Sequence, residues 1–461
     1  MKRQRAALLC TVGAIAIAIA LADRKGAYGV GALALVTLAA ACAAWAAALG
    51  RPGRREEPPA AGEASWPGRG AAGLLLRAAV VVGLGALVVA KPGQHLRPIH
   101  PTAFHVLAAM ALAVAAAPRA TATEAVRRLR FPLLALLWTA MAVVVIHNSP
   151  HPFIDVWHHQ QIAAEALWNG RNPYAITYPN IYPHQRWLAP ELLSDGRVKG
   201  FTYPPLTTLV GLPGWLLLGD VRFALLACTL LSAWAIRHLG RGAAAEDAAL
   251  LLLFHPRAFF MLDNAWTEPL LLAPLALALV AARELRGRSS WMASGAALGL
   301  AAASKQFSLL VLPPFVAVMP RLWRGKVLAV AGGVAAATLL PFLVMGPRDL
   351  WHGLVTYQLV LPFREDSLSW MVPIARALGR PLPWWPAFAA ALAALAATFP
   401  RRSSPALAAT SAWATLSPLL LLSNRSHFNY YWLAMGVALL AAVLHDREAT
   451  EATPHGSPNP S

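Results

Sequence analysis

The fold class this sequence predicts is an all-α polytopic membrane protein, on three observations. Apolar residues make up 57% of the 461 residues and charged ones 13%, against roughly 25% charge in ordinary soluble domains. Mean hydropathy is +0.51. The apolar residues gather in runs of roughly 15–20, the length that crosses a hydrocarbon core of about 30 Å. The same figures exclude a water-soluble enzyme, a disordered chain and a fibrous protein. The net charge of +18 implies no nucleic-acid partner: Lys and Arg sit in short loops between the runs, where positive charge sets orientation. No basic stripe with interleaved aromatics occurs. Cys10, Cys42 and Cys228 lie inside apolar runs without CxxC spacing, which predicts small buried side chains rather than a disulfide framework or thiolate metal site.

Taken in order, candidate spans are 6–22, 27–49, 71–90, 103–117, 131–147, 221–239, 247–262, 269–282, 291–303, 307–319, 327–345, 384–399, 406–422 and 428–444, about 14 transmembrane helices. Lys2, Arg3 and Arg5 precede the first run, which reads as a retained span, with a cleaved signal peptide as the alternative. The topology downstream is the same either way. Segment 50–70 is a Pro/Gly-rich cytoplasmic linker. The first four spans hold little that could do chemistry apart from Asp23 in the loop between the first two, so 1–130 reads as an accessory unit. The stretch 203–218 is ambiguous. If it does not cross, more than half of the 39 basic residues fall in short loops on one side. If it crosses, the clusters at 283–288, 321–326 and 401–402 face outward, against the positive-inside rule. It therefore reads as a half-inserted or surface helix, opened by Tyr203-Pro204-Pro205 and broken at Pro213-Gly214. Both ends are then cytoplasmic, and the tail 446–461, rich in Pro, Ser, Glu and Thr, reads as disordered. No clear internal repeat is present.

The outer segment 148–202 carries the chemical signal, being polar, aromatic and His-rich in a chain otherwise of Ala and Leu. On a helical wheel over 155–169, Asp155, His158, His159, Glu165 and Asn169 fall within about 120° of one another. Val156, Trp157, Ala163, Ala164, Leu167 and Trp168 fall opposite, while Gln160 and Gln161 break the pattern. This predicts an outer interfacial amphipathic helix, tryptophans toward lipid or core, acids and imidazoles toward an aqueous cavity. Asn169-Gly170 ends it and Asn172-Pro173-Tyr174 begins a turn.

Asp155 at the foot of a span, AAEALWNGRNPY at 163–174 and FTYPPL at 201–206 resemble the GT-C superfamily of membrane glycosyltransferases. Within it they resemble the polyprenol-phosphate-mannose-dependent mannosyltransferase-like family 87, formerly a domain of unknown function. The resemblance covers roughly 131–445. It implies a GT-C-like membrane domain that moves a sugar, mannose or similar, from a polyprenyl-phosphate donor to a glycan, lipid or protein acceptor on the outer face of the cell membrane. The physics agrees: nucleotide sugars are not available outside the cytoplasm, and the chain has neither a soluble nucleotide-binding domain nor a DxD. A sugar phosphate already has a good leaving group, so the site needs a base for the acceptor hydroxyl and cations or hydrogen-bond donors for the phosphate.

Asp155 is the candidate general base. A carboxylate at a membrane interface is partly desolvated, which strengthens it as a base; an N-terminal helix cap is the other reading of the same position. Many related enzymes carry a second acid here, sometimes with a divalent metal. In this chain Val156 and Trp157 follow, and Glu165 is the nearest acid. His158 and His159 could serve as metal ligands, but adjacent on a helix they point about 100° apart and rarely share one ion, so no cofactor is expected, with a divalent metal as the alternative; otherwise they bind sugar hydroxyls or face water. Lys305 between two short spans is a point charge for the donor phosphate or a snorkelling lysine. Asp263, Asn264 and Glu268 are candidates for sugar or acceptor binding. In SNRSHFNYYW, Arg425 and His427 beside Asn429, Tyr430 and Tyr431 suit a phosphate with a stacked sugar. Arg364, Glu365 and Asp366 could cover the site, and Asn172, Tyr174, Tyr182, His184 and Tyr203 could line it. The rival function, a transporter or flippase of lipid-linked glycan intermediates, would want inverted repeats and mid-span acids. The abundance of Ala and Arg suggests a bacterial inner or plasma membrane.

Overall fold

The computed structural model describes residues 1–50, 68–97, 101–119, 123–185 and 187–452. Most of the expected 50–70 linker and of the C-terminal tail lies outside them. The chain folds as α1 (Lys2–Ala22), α2 (Val30–Leu49), α3 (Gly68–Val89), α4 (Pro101–Ala116), α5 (Glu124–Asn148) and α6 (Asp155–Trp168), followed by three short strands. These are β1 (Thr177–Tyr178), β2 (Leu193–Ser194) and β3 (Arg197–Lys199), an antiparallel sheet in the order β1-β3-β2. Then come α7 (Pro205–Leu218), α8 (Arg222–Leu239), α9 (Gly242–Phe254), α10 (Phe260–Asp263), α11 (Pro269–Glu284), α12 (Gly287–Ala302), α13 (Ser308–Ala317) and α14 (Arg321–Met345). The chain closes with α15 (Pro347–Trp351), α16 (Tyr357–Val360), α17 (Met371–Leu378), α18 (Trp385–Thr398), α19 (Pro405–Leu421) and α20 (Phe428–Glu451).

This is an all-α membrane protein. Six of the described helical stretches are long and apolar enough to cross a bilayer: Lys2–Gly26, Val30–Leu49, Gly70–Val89, Glu124–Asn148, Arg321–Met345 and Phe428–Glu451. A seventh span results if α7 and α8, bent by 115°, count as one. The expected fourteen are not reached by that measure. The remaining apolar helices, such as Ser308–Ala317 and Trp385–Thr398, have 10 and 14 residues. At 1.5 Å per residue they reach only about 15–21 Å of a core of about 30 Å. The helix expected at 203–218 forms as α7, but it runs unbroken through the expected break at Pro213-Gly214, and the interruption comes after it, where α7 and α8 bend by 115°. Pro205 occupies the first turn of α7, and Gly219 ends it in the left-handed region at φ +74°, which glycine adopts without steric cost.

Two ends of the bundle differ in charge. At one, Arg241, Arg283 and Arg447 converge on Glu451, Arg3 meets Glu448, and Arg119 and Arg130 reach Glu246 and Asp247. These pairs carry the last helix on to Glu451, so the segment from 446, expected to be disordered, is helical over its first residues. Glu448 also accepts from the Ser404 hydroxyl and the Ala406 N–H at the start of α19. α20, almost wholly buried, is the central post; α1 and α19 pack along it. Its 24 residues rise about 36 Å to the opposite end, where the loops after α1, α3, α5, α10, α12, α16 and α19 meet.

Candidate active site

The loops at that second end enclose a cavity of about 490 Å³. Asp155 lies on its wall, at the first position of α6, half-buried. Among the described residues its carboxylate makes no ion pair and accepts one N–H, from Val156 at 2.9 Å. α6 is fixed from behind. The Trp157 indole N–H donates to Asp220 Oδ2 at 3.2 Å, and Arg222, 0% exposed, grips both Asp220 oxygens. The same guanidinium donates to the Ser149 hydroxyl and carbonyl at 2.7 and 2.8 Å, tying the end of α5 to the start of α8. Neither Asp220 nor Arg222 was recognisable from the sequence, where they sit in a plain interhelical turn.

α6 does not present the single wet face that the wheel predicts, because its sides are mostly packed against protein. Trp157 and Ala164 belong to the main core, Ala163 to a second cluster with Tyr174, Tyr178, Phe201 and Phe342. Gln160, which broke the wheel pattern, is buried and donates to the Ala265 carbonyl. His159 is buried against the Tyr178 ring, with the Pro179 carbonyl at 3.4 Å. It lines a small cleft that also includes Asp155 and Arg425. Desolvation lowers its pKa, partly opposed by the Asp155 charge. His158 lies edge-on to Trp157, also lowered by desolvation, and Glu165 is exposed; neither lines the cavity.

The Asn172-Pro173-Tyr174 turn has a scaffold role. The Asn172 side-chain oxygen accepts from the Tyr174 N–H at 3.0 Å, and the Tyr174 hydroxyl donates to the Tyr203 carbonyl at 2.6 Å. Asn172 and Tyr174 thus stand behind the wall, holding Tyr203 on it. Tyr182 lines the cavity, whereas His184 is exposed elsewhere.

Lys305 is on the wall and 6% exposed. Its ammonium lies 2.8 Å from Glu268 Oε1 and 5.6 and 5.5 Å from the ring centres of Tyr203 and Tyr430. Desolvation would lower its pKa; the Glu268 and Tyr430 charges and the bond to Glu268 prevail and raise it. Glu268, 0% exposed, lies behind the wall and accepts also from the Asn429 amide at 2.7 Å. Asp263 and Asn264 also have structural partners: Asp263 accepts from the Gln94 and His95 N–H groups at 2.5 and 3.1 Å, and Asn264 Oδ1 lies 3.3 Å from the His95 ring. Thr267, on the wall, has a buried hydroxyl without a protein partner among the described residues.

The loop before α17 and the loop before α20 are laced together. The Arg364 N–H donates to the Asn424 carbonyl, Leu368 N–H to the Ser426 carbonyl at 2.6 Å, and Ser426 N–H to the Ser367 hydroxyl at 2.6 Å. This places Arg364 over the Trp187 indole, 3.6 Å from its centre, with a two-pronged bond to Asp366 at 2.8 and 2.6 Å. Desolvation would raise the Asp366 pKa; the Arg364 bonds and the charges of His427 and Arg364 outweigh it, and the pKa falls. Glu365 points away, 4.0 Å from Arg376. Arg425 donates through Nε to the Pro362 carbonyl and through Nη2 to the Trp187 carbonyl, both at 2.9 Å. Burial brings its pKa down to about 10, so it stays charged at neutral pH. Burial brings His427 down to about 4, leaving a neutral ring.

The first four helices are not set apart from this site. The loop 91–97 hangs on Asp263 and Asn264, and the loop after α1 brings Arg24 and Lys25 to the cavity. Both residues are in the left-handed region, φ +41° and +59°, at roughly 1–2 kcal/mol each for a side-chain-bearing residue. Gly26 follows at φ +73°, pressed so closely on α20 that a Cβ there would lie 2.8 Å from the Phe428 Cβ. No sequence signal marked this loop beyond its charge.

Among the described residues no group of three or more His, Cys, Asp or Glu side chains is placed to hold a metal ion. No curated protein and no solved structure matches the chain. One family model does, over just under half the chain; the match takes in Tyr203, Glu268, Lys305, Arg364 and Asp366 and leaves Asp155 and Arg425 outside it. Residues 201–424 of this helical membrane chain match the model of glycosyltransferase family 87, so the chain is similar to that family over this region.

Proposed function

We propose that the protein transfers a sugar, mannose or a similar hexose, from a polyprenyl-phosphate donor to a glycan, lipid or protein acceptor on the outer face of the cell membrane. The observation that carries this reading is the pairing of one carboxylate without an ion pair among the described residues, Asp155, with a cavity whose charged lining is otherwise mostly cationic. The arginine-rich end of the bundle lies opposite, and positive charge favours the cytoplasmic side, which supports an outward-facing cavity. A GT-C-like arrangement with the base at the foot of a span fits both features.

In the reaction, the acceptor hydroxyl attacks the anomeric carbon and gives its proton to Asp155 as the glycosidic bond forms. The bond between that carbon and the phosphate oxygen breaks, and the phosphate leaves with the electron pair, its charge met by guanidinium groups including Arg425. A single displacement of this kind inverts the anomeric centre. Tyr203, Tyr430 and the Thr267 hydroxyl are suited to the sugar, aromatic faces against the ring and a free hydroxyl for one of its own. Lys305 positions the two tyrosines; its charge is already balanced by Glu268.

The test is transfer of radiolabelled sugar from polyprenyl-phosphate sugar in membranes that contain the protein. Asp155→Asn should reduce transfer by about 10²-fold or more with the protein still folded. Full activity in that variant refutes the assignment. Formation of a new labelled glycoside separates this reading from transport of a lipid-linked intermediate, which yields none.

A further inference from the structure

We propose that the loop joining α1 and α2 is a phosphate-binding element of the site, with Arg24 and Lys25 holding the phosphate of the prenyl-linked substrate at the cavity mouth. The inference rests on the glycosyltransferase reading and extends it to a part of the chain outside the family match.

Charge pairing leads there. The cavity wall carries several cations, but most are committed. Lys305 is paired with Glu268, Arg364 with Asp366, and Arg425 spends two of its donor groups on backbone carbonyls. His427 is neutral near pH 7. Arg24 and Lys25 are exposed and, among the described residues, form no ion pair. A leaving phosphate gains charge as its bond to the sugar breaks, and it needs uncommitted cations.

The backbone supports the same assignment. Two consecutive side-chain-bearing residues in the left-handed region persist only where surrounding structure holds them, and such strain clusters at ligand-binding sites. Here the anchors are visible. Gly26 is seated on Phe428, the Tyr28 N–H donates to the Asp366 carbonyl at 3.0 Å, and the Arg376 guanidinium lies 5.0 Å from the centre of the Tyr28 ring. The loop is therefore fixed to the elements that carry Arg364 and Asn429. It also stands at the end of two spans, the depth at which the headgroup of a membrane-embedded prenyl phosphate sits.

The experiment measures binding of farnesyl phosphate to the detergent-solubilised full chain by tryptophan fluorescence, with farnesol, inorganic phosphate and phosphatidylglycerol as separate arms. Arg24→Gln with Lys25→Gln should weaken farnesyl phosphate binding at least about tenfold, or about 1.4 kcal/mol, and leave farnesol unchanged. Arg24→Gly with Lys25→Gly removes the same charges while suiting the left-handed backbone, so an equal loss in that variant cannot come from a broken loop. Unchanged farnesyl phosphate affinity in both variants overturns the inference, as does an equal loss toward phosphatidylglycerol, which would mark a general lipid-surface contact. Inorganic phosphate that competes only with the natural loop supports it. If Asp155→Asn binds farnesyl phosphate normally but the loop variants do too, this inference alone fails; if the natural protein binds none, the glycosyltransferase reading fails with it.

Discussion

Replacing Lys305 by Met tests whether that lysine is a structural counter-ion. Its ammonium lies 2.8 Å from Glu268 Oε1, an attraction of about 6 kcal/mol at an effective dielectric of about 20. Desolvating the two ions costs several kcal/mol each, so the intact pair is close to neutral in net stability. Removing one partner is different, because the Glu268 carboxylate stays where it is, 0% exposed and with one oxygen already lacking a hydrogen-bond partner among the described residues. An uncompensated buried charge costs about 3–5 kcal/mol. The double variant Lys305→Met, Glu268→Gln removes both charges, keeps an acceptor for the Asn429 amide, and should fall within about 1.5 kcal/mol of the natural protein. For a chain of this length, unfolding entropy near 1 kcal/mol/K converts the single-variant loss to a fall of roughly 3–5 °C in melting temperature. Helices that persist in micelles lower that entropy and enlarge the shift. The assay is thermal unfolding in detergent followed by tryptophan fluorescence. If the single and double variants melt together, the pair is not what holds these residues, and the balanced-charge description of Lys305 is wrong.

Two further outcomes follow from the site. Asp366 has its pKa held below the ordinary 3.8, so its stabilising contribution is complete above that value and disappears as pH falls through the lower, folded one. The melting difference between the natural protein and Asp366→Asn should therefore be constant from pH 7 to about pH 5 and shrink below pH 4; a difference that grows on acidification contradicts the Arg364 clamp. Arg222→Leu leaves Asp220 buried without its cation and should cost about 3–5 kcal/mol. Because it frees the start of α6, it should also lower kcat more than KM in a transfer assay, whereas a purely global loss would be recovered in both constants on cooling.

Much of this could be read in the sequence, and the gaps have physical causes. Hydropathy and loop charge identify the membrane class, since apolar length and basic clusters are local properties of the chain. They give about 14 spans where six or seven described stretches pass the length test, because an apolar run is bounded by composition, while a helix is bounded by Pro, Gly and packing, as at α13 with its Pro313-Pro314. The cavity brings together Asp155, Tyr203, Lys305, Arg425 and His427, all singled out by their polarity among Ala and Leu. The wheel failed for α6 because it assumes one wet face, and this helix is packed on several. Glu268, Asn172 and Tyr174 have polar partners behind the wall, and polarity alone cannot tell a ligand contact from an internal hydrogen bond. Arg24 and Lys25 carry no such signal, because their setting, a seven-residue link between two Ala-rich spans, looks like any orienting loop until α20 is placed against it.

The seating of Gly26 on Phe428 also bears on how the molecule is assembled. These two residues are about four hundred positions apart, and the first hairpin leaves the ribosome long before its partner is made. Until α20 inserts, the strained turn has no support and the cavity lacks one side, so the hairpin must wait in the bilayer as an unfinished unit. A nascent chain stopped short of residue 428 is therefore a membrane-inserted but siteless protein, and maturation is completed by its last helix.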